Sequence, residues 1–106
     1  VAQARSYHRA GLEVNQKIND RLWIGCGLVG VAALEMAQDP SAATRLLGAT
    51  ARLLESTGMS LERAYGVLYE QSLAALRATL DAETFATAWG EGQALSLDDA
   101  IAAALG

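Results

Sequence analysis

The fold class is decided by residues 21–58, RLWIGCGLVGVAALEMAQDPSAATRLLGATARLLESTG. Up to Leu34 this stretch has one charged residue, Arg21, and it mixes large apolar side chains with Gly and Ala. Apolar residues on every side of a helical projection predict a buried helix over residues 21–37. Asp39-Pro40 predicts the start of the next helix, because Asp accepts unpaired N–H groups and Pro is well suited to the first helical position. Gly58 predicts its end after residue 57.

Upstream of this stretch, residues 2–18 also follow a helical pattern. Their apolar arc is broad, which indicates contact with neighbouring helices on two sides. Asn19 and Asp20 then predict a turn, since Asn tolerates the left-handed conformation and Asp can cap the following helix.

Downstream, three polar residues predict helix starts. Ser60 is the expected cap of a long helix over residues 60–80, and Asp81 and Ser96 are the expected caps of two further helices. Gly90 and Gly92 are expected to weaken the end of the fifth helix. Six helices with short connections predict one all-α domain over residues 1–106.

The composition narrows the class of protein. The chain has 106 residues, of which 52% are hydrophobic and 19% charged, with a net charge of −4. Its basic residues are scattered, so we expect no direct nucleic-acid binding. The longest uncharged run, residues 22–34, is shorter than a bilayer requires, and one cysteine cannot form an internal disulfide, so we expect a cytoplasmic protein. Because a helical pattern is already under way at Val1, we expect a piece of a longer protein.

The chain also contains a weak internal repeat. At an offset of about 39 residues, small and large positions of the first helix match those of the third, which is the pattern of stacked helical pairs. The matched sets are Ala4, Tyr7, His8, Gly11 and Leu12 with Ala43, Leu46, Leu47, Thr50 and Ala51.

Residues 30–49 resemble a divergent tetratricopeptide repeat, above all in Leu46-Leu47-Gly48-Ala49. Residues 82–100, with Phe85-x-x-x-Trp89-x-x-Gly92, resemble the C-terminal tetratricopeptide-like region of large bacterial signalling ATPases and LuxR-type transcriptional regulators. The resemblance implies an all-α, tetratricopeptide-like α-solenoid of antiparallel helix pairs. Residues 1–57 would form repeat helices, residues 60–80 a long helix, and residues 81–106 a short C-terminal helical cap. Val31 stands where that repeat has Gly, and this puts peptide binding in a concave groove in question.

By this resemblance the function would be protein–protein interaction or regulatory sensing, without catalysis. The alternative is a small-molecule effector site between helices, to which Trp23 and Trp89 could contribute, although their helical spacing favours packing. Partners would be another protein or preceding repeats of the parent chain, with no membrane. The outer face of the first helix, with Tyr7, Val14 and Ile18, is the candidate interaction surface and a possible route to a homo-oligomer.

Several motifs are better explained by packing than by chemistry. Residues 25–30, GCGLVG, match the dinucleotide-binding pattern, but that pattern requires a preceding strand and only three residues are available for one. His8 lacks an evident catalytic partner, and Cys26 lies in the buried helix, where it is interpreted as a small apolar residue. We interpret four acidic residues as solvated or helix-start charges: Glu62, Glu70, Asp98 and Asp99. No catalytic, metal-binding or cofactor-binding residue is predicted.

Overall fold

The computed structural model describes residues 21–58 and 60–105, with side chains from residue 24 onward. All regular structure in these ranges is α-helical, which confirms the all-α prediction there. We number the helices in chain order: α1 (Arg21–Glu35), α2 (Pro40–Thr57), α3 (Arg63–Thr79), α4 (Ala82–Ala94) and α5 (Leu97–Leu105). The first predicted helix, residues 2–18, lies outside the described residues.

Helix α1 is the most deeply buried element, as its sequence predicts. Every residue from Ile24 to Ala32 is buried, including three glycines. The helix ends at Glu35, two residues earlier than predicted, because residues 36–38 form a hydrogen-bonded turn that leads into Asp39.

Helix α2 begins and ends at the predicted residues. The Asp39 carboxylate accepts a hydrogen bond from the Ala42 N–H at 3.0 Å, and Pro40 occupies the first turn. Gly58 ends the helix in the left-handed conformation, with φ of 69°, and its N–H donates to the Leu54 carbonyl. Each of these contacts lies within about one turn, so local sequence is sufficient to specify them.

The predicted start of α3 was wrong. Ser60 does not cap it; the helix begins at Arg63, and the Glu62 carboxylate accepts from the Ala64 N–H at 3.3 Å. Leu61 is partly buried against the core instead of continuing a helix from Ser60. Packing of this leucine therefore shifts the start of α3.

The starts of α4 and α5 agree with the sequence. Asp81 accepts from the Thr84 N–H at 2.6 Å, and the Ser96 hydroxyl accepts from the Asp99 N–H at 3.1 Å. Helix α4 continues through Gly90 and Gly92 to Ala94, and the weakening expected from these glycines stays a prediction about stability.

One core joins the five helices. Its fully buried large side chains come from α1, α2, α3 and α5, and α4 contributes Ala88 and the half-buried Phe85 and Trp89. The hydroxyl groups of Thr44 and Thr50 are buried and donate to carbonyls one turn back, at 2.9 Å in each case, which offsets their desolvation. The Ser72 hydroxyl is also buried and has no hydrogen-bond partner among the described residues.

Among the described helices, the most extensive contact joins α2 to α4, although α3 lies between them in sequence. Helix α1 contacts α2, α3 and α5, and α2 contacts all four of the other described helices. The α2–α4 contact positions the surface features described next.

Candidate interaction surface

Two glycines bring the backbones of α2 and α4 into direct contact. A Cβ atom added at Gly48 would lie 2.6 Å from the Trp89 carbonyl oxygen. One added at Gly92 would meet the Arg45 carbonyl group and would lie 2.9 Å from the Arg45 Cα. Real Cβ atoms do not approach backbone atoms this closely unless the atoms are near neighbours in the covalent structure. Only glycine therefore fits at either crossing point.

Two arginines of α2 hold the C-terminal half of α4. The Arg45 guanidinium lies 3.3 Å from a carboxylate oxygen of Glu91, and both side chains are partly exposed. The Arg52 guanidinium donates to the Gln93 carbonyl oxygen at 2.8 Å. Carbonyls in the last turn of a helix lack intrahelical donors, so Arg52 caps the C-terminus of α4 from a different helix.

A polar groove runs along one side of this crossing. Its volume is about 240 Å³, and it combines acidic, basic and hydroxyl side chains. We call it the α2–α4 groove, and its lining residues are Ser41, Arg45, Glu83, Thr84, Thr87, Ala88 and Glu91. A groove of this composition can form hydrogen bonds and ion pairs with a polar segment of another molecule.

A second depression lies where α2 meets the connection between α4 and α5. It also has a volume of about 240 Å³ and is lined by both apolar and polar side chains. We call it the α2–α5 pocket, and it is lined by Ala49, Arg52, Leu53, Ser56, Leu95, Ser96, Leu97 and Ala100. Its volume is below the roughly 300–1,000 Å³ of typical small-molecule sites.

Aromatic side chains connect α4 to α3. The rings of Phe85 and Trp89 stack with centroids 5.8 Å apart, and the Arg77 guanidinium lies 5.3 Å from the Phe85 centroid. Burial raises the pKa of the nearby Tyr69 hydroxyl, Glu70 raises this pKa further, and Arg77 opposes the shift. Trp89 also contacts the core, which agrees with its interpretation as a packing residue.

The dinucleotide-like motif is not a nucleotide site. Residues 25–30 lie within the continuous helix α1, and every one of them is buried. A phosphate-binding turn requires a strand followed by an exposed helix start, and residues 21–35 provide neither. Cys26 is buried in the same helix, as predicted.

The remaining predicted site residues have different outcomes. Tyr7, Val14 and Ile18 lie outside the described residues, as does His8, and so does the side chain of Trp23. Asp98 and Asp99 occupy the first turn of α5, and Glu62 caps α3, as helix-start charges. Glu70 is exposed.

Sequence reasoning missed the contribution of Arg45, Arg52 and Gly92. The two arginines are seven residues apart and therefore share one face of α2, which was the available signal. Their partners are 46 and 41 residues away in sequence, so no local pattern could identify them.

Within residues 21–58 and 60–105, no group of three His, Cys, Asp or Glu side chains is arranged to hold a metal ion. None of the helices described above is long and apolar enough to span a bilayer.

The chain is similar in sequence to bacterial regulators of transcription. It is 37% identical, over 93 residues, to proteins provisionally named as HTH-type transcriptional regulators, and the match covers 88% of this chain. These relatives come from Mycobacterium bovis and Mycobacterium tuberculosis. The chain spans about 10% of their length. No protein-family model and no solved structure matches it.

Proposed function

We propose that this chain is a non-catalytic, tetratricopeptide-like helical-repeat module within a cytoplasmic transcriptional regulator, where it serves protein–protein interaction or regulatory sensing. The observation that carries the proposal is the contact between α2 and α4. In a stack of helical pairs, the first helix of one pair packs on the first helix of the next, so contacts join helices two apart in sequence. With α1 and α2, which contact each other, as one pair and α3 and α4 as the next, α1 contacts α3 and α2 contacts α4, so both contacts are of this kind.

The similarity to regulators supports the second half of the proposal. The matching proteins are about ten times longer than this chain, so their DNA-binding part can lie elsewhere in their sequence. In this chain Arg45 is paired with Glu91, and the net charge is −4. A phosphate backbone would meet little unneutralised positive charge here, which favours a role other than DNA contact.

The α2–α4 groove is the described surface best suited to such a role. It lies between α2 and α4, which are two apart in sequence, and three of its side chains carry hydroxyl groups: Ser41, Thr84 and Thr87. Arg45, Glu83 and Glu91 add charges of both signs. A polar peptide segment of a partner, or of the same regulator, would find both hydrogen-bonding groups and charges there.

The proposal is tested in the regulator that contains this chain. Thr87→Lys places a long cation in the groove, and Ala102→Lys places the same side chain at an exposed position of α5 that lines neither depression. We expect both variants to fold and to bind DNA as the parent does. The regulated change in transcription should be impaired only by Thr87→Lys.

Two results would contradict the proposal. One is a regulated response that is equally unaffected by both lysine substitutions and by deletion of residues 21–105. The other is tight binding of the isolated chain to DNA at low salt in an electrophoretic shift assay, with loss of that binding at higher salt.

The alternative, a small-molecule effector site, has one observation in its favour. In the α2–α5 pocket, the apolar side chains of Leu53, Leu95 and Leu97 lie beside Arg52 and Ser96, a combination that could orient an amphiphilic anion. A thermal-shift screen against candidate metabolites tests it. Saturable stabilisation that Arg52→Gln removes would support this alternative. If no metabolite gives saturable stabilisation, the result favours the interaction module.

A further inference from the structure

Helix α3 has an exposed face that carries almost no charge. Val67, with 51% of its surface accessible, is the exposed large hydrophobic side chain of the described residues. It lies in a row of exposed positions at spacings of three and four residues, opposite the side that packs on the core. We call this row the outer face of α3, and it comprises Ala64, Val67, Gln71, Ala74 and Ala78.

The spacing of this row is that of one side of a coiled coil. Steps of three, four, three and four residues place the five side chains along one seam of a helix. Arg63, Glu70 and Arg77 recur every seven residues along one edge of this seam, at the positions that flank a coiled-coil core. All three charged side chains are exposed.

Antiparallel pairing of two copies of α3 agrees with the row of uncharged side chains and with the spacing of the charged residues beside it. If Gln71 of one copy lies opposite Ala74 of the other, the two-fold axis also places Val67 opposite Ala78. Glu70 of each copy then lies beside Arg77 of the other, so the same arrangement forms two ion pairs. A parallel arrangement would place Glu70 beside Ala75 and form neither pair.

The charged groups are available for this pairing. Glu70 and Arg77 are two turns apart, about 10 Å along the helix, and so do not pair with each other. Within the described part of the chain, neither has a salt-bridge partner. Arg77 rests with its guanidinium over the Phe85 ring, and stacking of this kind leaves the edge of the guanidinium able to bind a carboxylate.

We propose that two copies of this chain associate through the outer face of α3, in antiparallel orientation. This surface is distinct from the outer face of the first predicted helix, residues 2–18. Helix α3 has 17 residues and is therefore about 25 Å long, so one helix pair buries less than the roughly 800 Å² per partner of a standard interface. Association should be weak and reversible in the isolated chain.

The test uses charge reversal and mixing of two variants. Glu70→Arg gives a chain with two arginines at the paired positions, and Arg77→Glu gives one with two glutamates. Each like-charged homodimer should be weakened on the order of tenfold in sedimentation equilibrium. When the two variants are mixed, both pairs become attractive, so a heterodimer should form with at least wild-type affinity.

A substitution in the seam provides an independent variant. Ala74→Glu inserts a charge between the two helices and should abolish association, whereas Ala102→Glu, with the same change of charge on exposed α5, should leave it intact. Both positions are exposed helical alanines, so helix content in circular dichroism should stay unchanged.

Three results would overturn the proposal. The first is a strict monomer over the whole soluble concentration range. The second is self-association that survives Ala74→Glu but is lost on charged substitution of Tyr7 or Val14, which would assign association to the first helix. The third is failure of mixed Glu70→Arg and Arg77→Glu chains to form a heterodimer.

Discussion

Gly92→Ala tests the close contact between α2 and α4. The added Cβ would lie 2.8 Å from the Arg45 carbonyl carbon and 2.9 Å from its Cα. Carbon atoms pack at about 3.5–4.0 Å, so the helices must separate by roughly 1 Å. The obstructing atoms are backbone, and no side-chain rotation can move them away.

The expected magnitude follows from two opposing effects. Overpacking costs about 1–3 kcal/mol, and contact with backbone places this site at the upper end, about 3 kcal/mol. Replacement of a helical Gly by Ala gains about 1 kcal/mol, so the net loss should be about 2 kcal/mol. For a domain of this size, that lowers Tm by roughly 8–16 °C.

Gly90 provides a matched control two residues away in the same helix. An added Cβ there meets nothing within 4 Å, so Gly90→Ala should stabilise the chain by about 1 kcal/mol. Urea and thermal unfolding, followed by circular dichroism, measure both variants. If Gly92→Ala proves as stable as Gly90→Ala, the backbone contact does not exist and the reasoning is refuted.

Four further predictions concern single side chains. Hydrogen bonds lower the pKa of Asp81, so its contribution to stability is present above the ordinary pKa of an aspartate and is lost as pH falls through the lowered value. The difference in urea midpoint between wild type and Asp81→Asn should therefore shrink in acid. A difference that stays constant with pH would contradict the role of Asp81 as a helix cap. Arg77→Gln should raise the pKa of Tyr69 further, which ultraviolet titration measures, and an unchanged titration would show that the two groups are not close. Arg52→Ala should destabilise the chain by about 0.5–1.5 kcal/mol in urea unfolding, whereas no loss would show that the cap on α4 is dispensable. Ser72→Ala should stabilise it by about 1 kcal/mol, because it removes a buried hydroxyl that has no hydrogen-bond partner; a loss would reveal a partner.

Local signals accounted for most helix boundaries. Asp39, Gly58, Asp81 and Ser96 were predicted from sequence and are confirmed, since each acts on backbone groups within about one turn of itself. The prediction for Ser60 was wrong because a tertiary contact decided the boundary: Leu61 packs on the core, and the helix starts after it.

The glycines of α4 show a difference that local sequence cannot predict. Intrinsic propensity treats Gly90 and Gly92 alike, as residues that weaken a helix. The structure distinguishes them, because one faces open space and the other contacts the backbone of α2. Only the helix packing reveals which of the two is required.

The candidate surface was the least predictable part. Its defining contacts, between Arg45 and Glu91 and between Arg52 and the Gln93 carbonyl, join residues more than 40 positions apart. Sequence spacing could show that the two arginines share a face of α2, but it could not show which helix they meet. The outer face of α3, in contrast, can be recognised from the spacing of its residues in the sequence once their exposure is known.

Helices α2 and α4 pack directly against each other although α3 separates them in sequence, and the proposed function depends on this contact. Nuclear Overhauser spectroscopy of the isotope-labelled chain tests this contact without any substitution. We predict cross-peaks from the α-protons of Gly92 to Arg45 and from those of Gly48 to Trp89. Absence of both, with cross-peaks from α2 confined to its neighbours α1 and α3, would contradict the stacked arrangement and the function proposed from it.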